Sequence, residues 1–260
     1  MNFIELDKVN IEYLDEDGRE DKSTGEILLF IHGSGSNARV WGAQIGYFKK
    51  NHRVIALSLP GHAESDQMQV PITVENYSEF VNKFIERICE DKKPILIGHS
   101  LGSAIAQTLA LRYNKFIKAI VLIGSGAKLK VMQMIFDFLS SDYEQFIKMG
   151  TSFAFSKKFK DAEIIQEYQD LGKMTQGFIT RADFQACNQF DVMKEVQDIT
   201  LPALIITGSD DKLTPVKYAN YLAQKIKGAE MHIIDEAGHL VFVEKSSEVN
   251  QTIEKFVNNL

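Results

Sequence analysis

Pro94-Ile95-Leu96-Ile97-Gly98-His99-Ser100-Leu101-Gly102 sets an apolar run directly against a helical pattern over residues 103–113. A G-x-S-x-G pentapeptide at a strand-to-helix junction reads as a nucleophile elbow. A serine there sits on a strained turn, and the glycines two residues either side keep side chains from colliding across it. The strain lifts the hydroxyl clear of the sheet, where a substrate carbonyl and a base can both reach it.

Outward from the elbow lie more short, almost wholly apolar runs, at residues 27–31, 53–57, 119–123, 203–207 and 231–234, besides 95–97 itself. Continuous apolar strands of this length are what a parallel sheet covered on both faces requires. Helical periodicity falls between them, at 77–89, 103–113, 216–226 and 249–257. Strand alternating with helix implies right-handed crossovers and a doubly wound, mostly parallel α/β sheet. Ahead of it, alternation from Phe3 to Tyr13 around Asp7-Lys8 predicts an opening antiparallel hairpin, and the charged stretch 15–25 a turn or loop.

One block breaks the rhythm. Over 128–191 no strand pattern is convincing, and Val131, Met134, Ile135, Phe138 and Leu139 recur at helix spacing. The block also holds nine of the chain's 17 phenylalanines. It reads as a helical insertion after the sixth strand, with residues 1–127 and 192–260 forming the core. Its phenylalanines suit an apolar lid, and Phe136, Phe153 and Phe155 are the candidates for a substrate pocket.

Composition narrows the partners. A chain of 260 residues with 45% hydrophobic and 25% charged content has the make-up of one globular domain. Its net charge of −6 supplies no basic stripe for a nucleic acid, and Lys49-Lys50 and Lys157-Lys158 read as solvated surface. No apolar run approaches the roughly 20 residues of a membrane helix. Acids near the N-terminus stand where a signal peptide needs an apolar core, so a cytoplasmic location is the expectation. Cys89 and Cys187 lack C-x-x-C spacing and fit buried thiols in a reducing compartment.

A serine hydroxyl needs a base, and imidazole suits neutral pH. Six histidines compete. His99 adjoins the serine, where neighbouring side chains diverge; His32 ends a strand and braces the next loop; His52 precedes a strand and His232 lies within one. His62, in the Pro60-Gly61-His62-Ala63 loop, is a second-tier candidate. His239 follows the 231–234 strand in a loop at the sheet's C-terminal edge, where ligand-facing groups collect, and is the expected base. An acid to orient it is expected at Asp210 or Asp211, after the 203–207 strand. The alternative use of that pair is to cap the helix beginning at Val216. For the oxyanion, the backbone N–H of Leu101 and one from Gly33-Ser34-Gly35-Ser36 are the available donors.

Taken together, Ile31-His32-Gly33-Ser34-Gly35 with Trp41, the run from Arg53 to His62, Gly98-His99-Ser100-Leu101-Gly102, the run from Gly208 to Pro215, and Ala237-Gly238-His239 resemble the α/β-hydrolase superfamily in order along the chain. The order nucleophile, acid, histidine agrees with that superfamily and with neither chymotrypsin-like nor subtilisin-like enzymes. The resemblance implies Ser100 as nucleophile, His239 as base, Asp211 rather than Asp210 as acid, and Ser34 and Leu101 as oxyanion N–H donors. Two positions depart from the family pattern: Ser58 stands where an aspartate is usual, and Ala63 where a glycine is. The implied activity is hydrolysis of small to medium, largely apolar carboxylic esters through an acyl-enzyme, with no metal or cofactor, in a monomer or homodimer. A carbon–carbon bond hydrolase of the meta-cleavage type, perhydrolysis, and a slow-turnover ligand sensor on the same fold are the alternatives.

Overall fold

Asp7 and Lys8 both take positive φ, 51° and 65°. The chain therefore reverses within two residues, and Leu6 faces Val9 across an antiparallel pair. This is the opening hairpin of a computed structural model that describes residues 1–90 and 92–260. Its strands are β1 (Asn2–Leu6) and β2 (Val9–Glu16). Where the sequence predicts a loop from Asp15, β2 continues for two residues, pairing Asp15 and Glu16 with Ile55 and Val54. The Arg53 guanidinium holds the Asp15 carboxylate at 2.7 and 3.0 Å, which offsets the polar composition of that strand end.

The other apolar runs form β3 (Ile27–Ile31), β4 (Arg53–Leu57), β5 (Ile95–His99), β6 (Ala119–Ile123), β7 (Ala203–Gly208) and β8 (Glu230–Ile234). They join one sheet of order β1-β2-β4-β3-β5-β6-β7-β8. Pairing is antiparallel for β1 with β2 and β2 with β4, and parallel elsewhere. All five residues of β3 are buried, and they alternate between two cores. Ile27, Leu29 and Ile31 face one side; Leu28 and Phe30 face the other, where the single tryptophan, Trp41, packs against Phe30. Each such side chain contributes about 1.5–3 kcal/mol when fully buried, which is why the runs carry no polar alternation.

Ten α-helices accompany the sheet among the described residues: α1 (Gly42–Phe48), α2 (Val74–Ile88), α3 (Leu101–Arg112), α4 (Gln133–Ser141), α5 (Tyr143–Ala154), α6 (Ala162–Lys173), α7 (Gly177–Gln189), α8 (Val216–Lys225), α9 (Val241–Glu244) and α10 (Ser246–Asn258). Helices α2, α3 and α8 cover one face; α1 and α10 cover the other. Helix α2 starts three residues ahead of its apolar pattern because the Thr73 hydroxyl accepts the Asn76 N–H at 3.1 Å. None of the described helices is long and apolar enough to cross a membrane.

Helices α4 to α7 occupy the connection from β6 to β7. At its base Lys128 and Asp191 form an isolated antiparallel bridge, their side chains meeting at 2.7 Å. Val131, expected on the first inserted helix, lies ahead of it and donates its N–H to Asn188 Oδ1. From β4 the chain recrosses to β5 on the opposite side of β3, and a crevice opens at that reversal beyond the strands' C-terminal ends.

Ala63, at the position where the family pattern has glycine, takes φ +48°. A left-handed alanine costs about 1–2 kcal/mol, of which glycine's greater unfolded freedom offsets about 0.4–1 kcal/mol. Ala63→Gly is expected to stabilise the protein by about 0.5 kcal/mol, seen as a higher denaturant midpoint at unchanged slope. A lower midpoint would mean that the methyl packs better than it strains.

Candidate active site

Ser100 sits between β5 and α3 with φ 52° and ψ −111°, a conformation disfavoured for any residue with a side chain. Its neighbours hold it there. Its N–H donates to Ile123 O at 3.0 Å, and its carbonyl accepts the Ser103 hydroxyl at 2.6 Å and the Ser103 and Ala104 N–H groups. A Cβ at Gly98 would lie 2.2 Å from Gly102 O, and one at Gly102 the same distance from Ile31 O. Both obstacles are backbone, so neither position accepts a side chain.

Beyond the elbow lies a cavity of about 400 Å³, whose wall includes Ser100, His99 and His239 and, from the insert, Ile135, Phe138, Phe146, Phe153 and Phe184. Of the three phenylalanines expected in a pocket, Phe153 is on this wall and two are not. Met134, Ile135 and Phe138 turn one side of α4 to the cavity. Phe136, two residues from both Met134 and Phe138, points about 200° around the helix from either. Phe155 lies past the end of α5, buried against Phe159 (centroids 5.0 Å apart) and Tyr168 in the core beneath.

His239 Nδ1 lies 2.9 Å from Asp211 Oδ2. Asp211 Oδ1 accepts the N–H groups of Leu213 and Thr214, and the Thr214 hydroxyl donates to Oδ2 at 2.7 Å. Burial pushes the Asp211 carboxyl up, but the charge and hydrogen bond of His239 and the bonds from Thr214 outweigh it and hold it below the ordinary value. With Nδ1 engaged, Nε2 is the ring nitrogen left for a proton from the cavity side. Asp210 is turned away, accepting the Ser156 hydroxyl at 2.6 Å. Neither acid caps α8, whose N-terminus has no side-chain cap. The capping alternative is therefore set aside.

Gly33, Ser34, Gly35 and Ser36, in the loop after β3, line the same cavity. His32 Nδ1 donates to Gly33 O at 2.8 Å and its Nε2 accepts the Leu59 N–H at 2.9 Å, so its ring is neutral. Burial also drives its pKa well down. The Gly35 N–H goes to Asp183 and the Ser36 N–H to Gly33 O. Among the described residues Ser34 N–H and Leu101 N–H have no such acceptor. Cys187, also on the cavity wall, is a free thiol that burial pushes up to about 12.

Among the described residues, His99, His52 and His62 make no hydrogen bond to Ser100 or Asp211. His99 is buried, its Nε2 donating to the His239 carbonyl at 3.1 Å. His52 Nδ1 accepts the Glu26 N–H, and His62 is buried against Asp183, away from Ser100. Sequence reading passed over three residues that hold the site: Thr214, Asp183 and Glu244. Glu244 accepts the N–H of Gly238 at 2.9 Å and of Ser156 at 3.0 Å, tying the His239 loop to the insert. The available signal was a lone acid ending the run Leu240-Val241-Phe242-Val243.

A doubly wound sheet with a strained serine, an acid-bound histidine and a glycine-rich loop at its strand ends defines an α/β-hydrolase architecture. The alpha/beta hydrolase family model matches residues 28–252, and the chain belongs to that family. It is 26% identical over 247 residues to human Protein ABHD8, covering 89% of this chain and 55% of that one. It thus spans about half the length of the ABHD8 proteins it matches. The (E)-2-((N-methylformamido)methylene)succinate hydrolase of Acinetobacter baylyi is 25% identical, with 91% and 92% coverage. Among solved structures, a thermophilic esterase shares 30% identity at a TM-score of 0.84, covering 99% of this chain and 97% of that one. The enol-lactonase of Burkholderia xenovorans LB400 superposes at 0.91 with 18% identity and 99% and 100% coverage, a likeness of fold alone.

Because the Asp211 pKa is depressed on folding, the unfolded chain binds the extra proton first as pH falls. The resulting stability is present above the ordinary aspartate value of about 3.9 and is lost as pH drops through the lower folded value. Asp211→Asn is expected to unfold at lower denaturant than wild type near neutrality, with the gap narrowing in acid below that range. A gap independent of pH would show that the charge contributes nothing.

Proposed function

We propose that this chain is a serine esterase. Ser100 attacks the ester carbonyl, His239 Nε2 takes its proton and returns it to the leaving alcohol, and Asp211 orients and stabilises the imidazolium. The N–H groups of Ser34 and Leu101 receive the oxyanion. Water, activated by the same imidazole, then releases the acyl group. The observation that carries this reading is the 2.9 Å His239–Asp211 bond behind a histidine that shares one cavity wall with an elbow serine. The 30% identity to a thermophilic esterase supports it. Helices α4 to α7 act as the lid, their apolar wall taking the acyl chain.

A specific observation also bears on the substrate's charge. Among the described residues no Asp or Glu lines the cavity, whereas Lys130, Lys212 and Lys217 do, in a chain of net charge −6. Lys217 also stands in the first turn of α8, where the helix dipole disfavours a cation. An apolar ester carrying a carboxylate fits this wall better than a neutral one, and a relative named as a succinate hydrolase is consistent with it.

A panel of p-nitrophenyl esters of increasing acyl length tests the chemistry. Ser100→Ala is expected to lower kcat by about 10⁴- to 10⁶-fold and to abolish labelling by an organophosphonate. An unlabelled wild type with no ester turnover would end the reading, and a burst without steady state would favour a sensor. For the charge, Lys212→Gln with Lys217→Gln is expected to raise KM severalfold for a dicarboxylic acid monoester, with about onefold change for its neutral diester. Equal effects on both would refute an anionic substrate.

A further inference from the structure

We propose that Asp183, on the last inserted helix, is a positioning residue for the oxyanion-binding amide of Ser34, itself held by hydrogen bonds from His62 and Tyr77; this rests on the esterase reading. The Asp183 side chain is fully buried, yet three different elements converge on it. Its Oδ2 accepts from His62 Nε2 at 2.8 Å and from the Gly35 N–H at 2.9 Å, and its Oδ1 accepts the Tyr77 hydroxyl at 2.9 Å. A carboxylate this deep is tolerated only when its lone pairs meet donors, and here every contact is a donor.

His62 supplies one of these hydrogen bonds, and its own ring is held in place: Nδ1 lies 3.2 Å from both Leu59 O and Pro60 O, while Nε2 faces the carboxylate. The neighbouring His32 ring packs 4.7 Å away, its Nε2 accepting the Leu59 N–H.

The consequence falls on Ser34. Two peptide planes flank it. His32 fixes the first through Gly33 O, and Asp183 fixes the second through the Gly35 N–H. With both planes pinned, Ser34 loses its φ and ψ freedom and its N–H keeps one direction. Gly35 itself takes φ +68°, and a Cβ there would lie 2.7 Å from the Thr180 side chain. Thr180, Asp183 and Cys187 recur at i, i+3 and i+7 on α7, so one helix face meets the loop. The next residue, Phe184, lines the cavity. The helix that helps shape the substrate wall thus also sets the amide that receives the oxyanion.

Asp183→Asn keeps the shape but leaves one acceptor oxygen for three donors. Its kcat on a p-nitrophenyl ester is expected to fall about 10- to 100-fold with KM within about twofold. Affinity for a trifluoromethyl ketone, whose adduct with Ser100 needs the Ser34 amide, should fall by a similar factor. Affinity for the matching alcohol, which merely fills the cavity, should hold. Unchanged kcat, or equal loss of ketone and alcohol binding, overturns the proposal. Activities are compared where circular dichroism matches wild type, with His62→Gln/Asp183→Asn as a second variant that replaces both partners of the contact together. Should neither fold, Gly35 amide exchange in wild type decides: protection of about tenfold or more over an unstructured amide supports the latch, and unprotected exchange overturns it. Failure of wild type on every ester defeats the esterase reading instead. The latch is then judged by Gly35 amide exchange, expected about tenfold or more faster in Asp183→Asn, with unchanged exchange overturning it.

Discussion

The backbone of Ser100, held at φ 52°, is the constraint around which the active end of the sheet is arranged. Such a conformation persists only where its surroundings over-determine it. Here parallel pairing supplies part of the hold, because the Ile123 carbonyl at the end of β6 takes the Ser100 N–H. The first turn of α3 supplies the rest by closing on the Ser100 carbonyl. That closure is possible only if α3 begins almost in contact with β3, where Gly102 meets the Ile31 carbonyl. Three strands and a helix are thus committed to one strained residue.

The insert is bound into this arrangement by charge as well as by packing. Asp183 holds the loop after β3 by accepting the Gly35 N–H, and Glu244 holds the loop that carries His239 by accepting the Gly238 and Ser156 N–H groups. Burial raises the Glu244 carboxyl, opposed by the bonds from Ser156 and Gly238. The His239 N–H itself donates to Ala154 O at the end of α5. Removing either acid would leave two or more buried donors without a partner, at about 1–3 kcal/mol for each group. Helices α5 and α7 are therefore part of the support beneath the chemistry, while α4, with Met134 exposed, contributes mainly wall.

What the sequence made legible follows the range of the forces involved. The strands of the parallel sheet are buried on both faces, so their runs stand out without any knowledge of partners. Gly98 and Gly102 are demanded by contacts within one turn and its neighbouring strand, and such demands leave fixed spacings. The pocket wall and the latches obey no such spacing. Phe136 and Phe155 differ from Phe153 only in which way a helix and its exit turn, and Asp183 looks like any solvated helical acid until α7 is docked. Ser58 is a related case. Its hydroxyl donates to Glu12 at 3.2 Å, and Glu12 is fully buried against Arg39, so the loop meets a carboxylate supplied by β2. A contact between residues 46 apart in the chain is invisible to local reading.

This distribution separates chemistry from selectivity only in part. The elbow and the acid-bound histidine rest on strand ends, and their geometry would survive many different inserts. The Ser34 amide is different, because the peptide on its C-terminal side is fixed by a side chain from the insert. A change in the insert that alters the wall at Phe184 acts on the same helix that presents Asp183 one residue earlier. Adjacent positions on a helix diverge by about 100°, so one faces the substrate cavity while its neighbour faces the loop. On the esterase reading proposed above, selection for a new substrate on this scaffold is thereby constrained to keep α7 in register, and variation in the wall is freer on α4, which holds neither the loop after β3 nor the loop that carries His239.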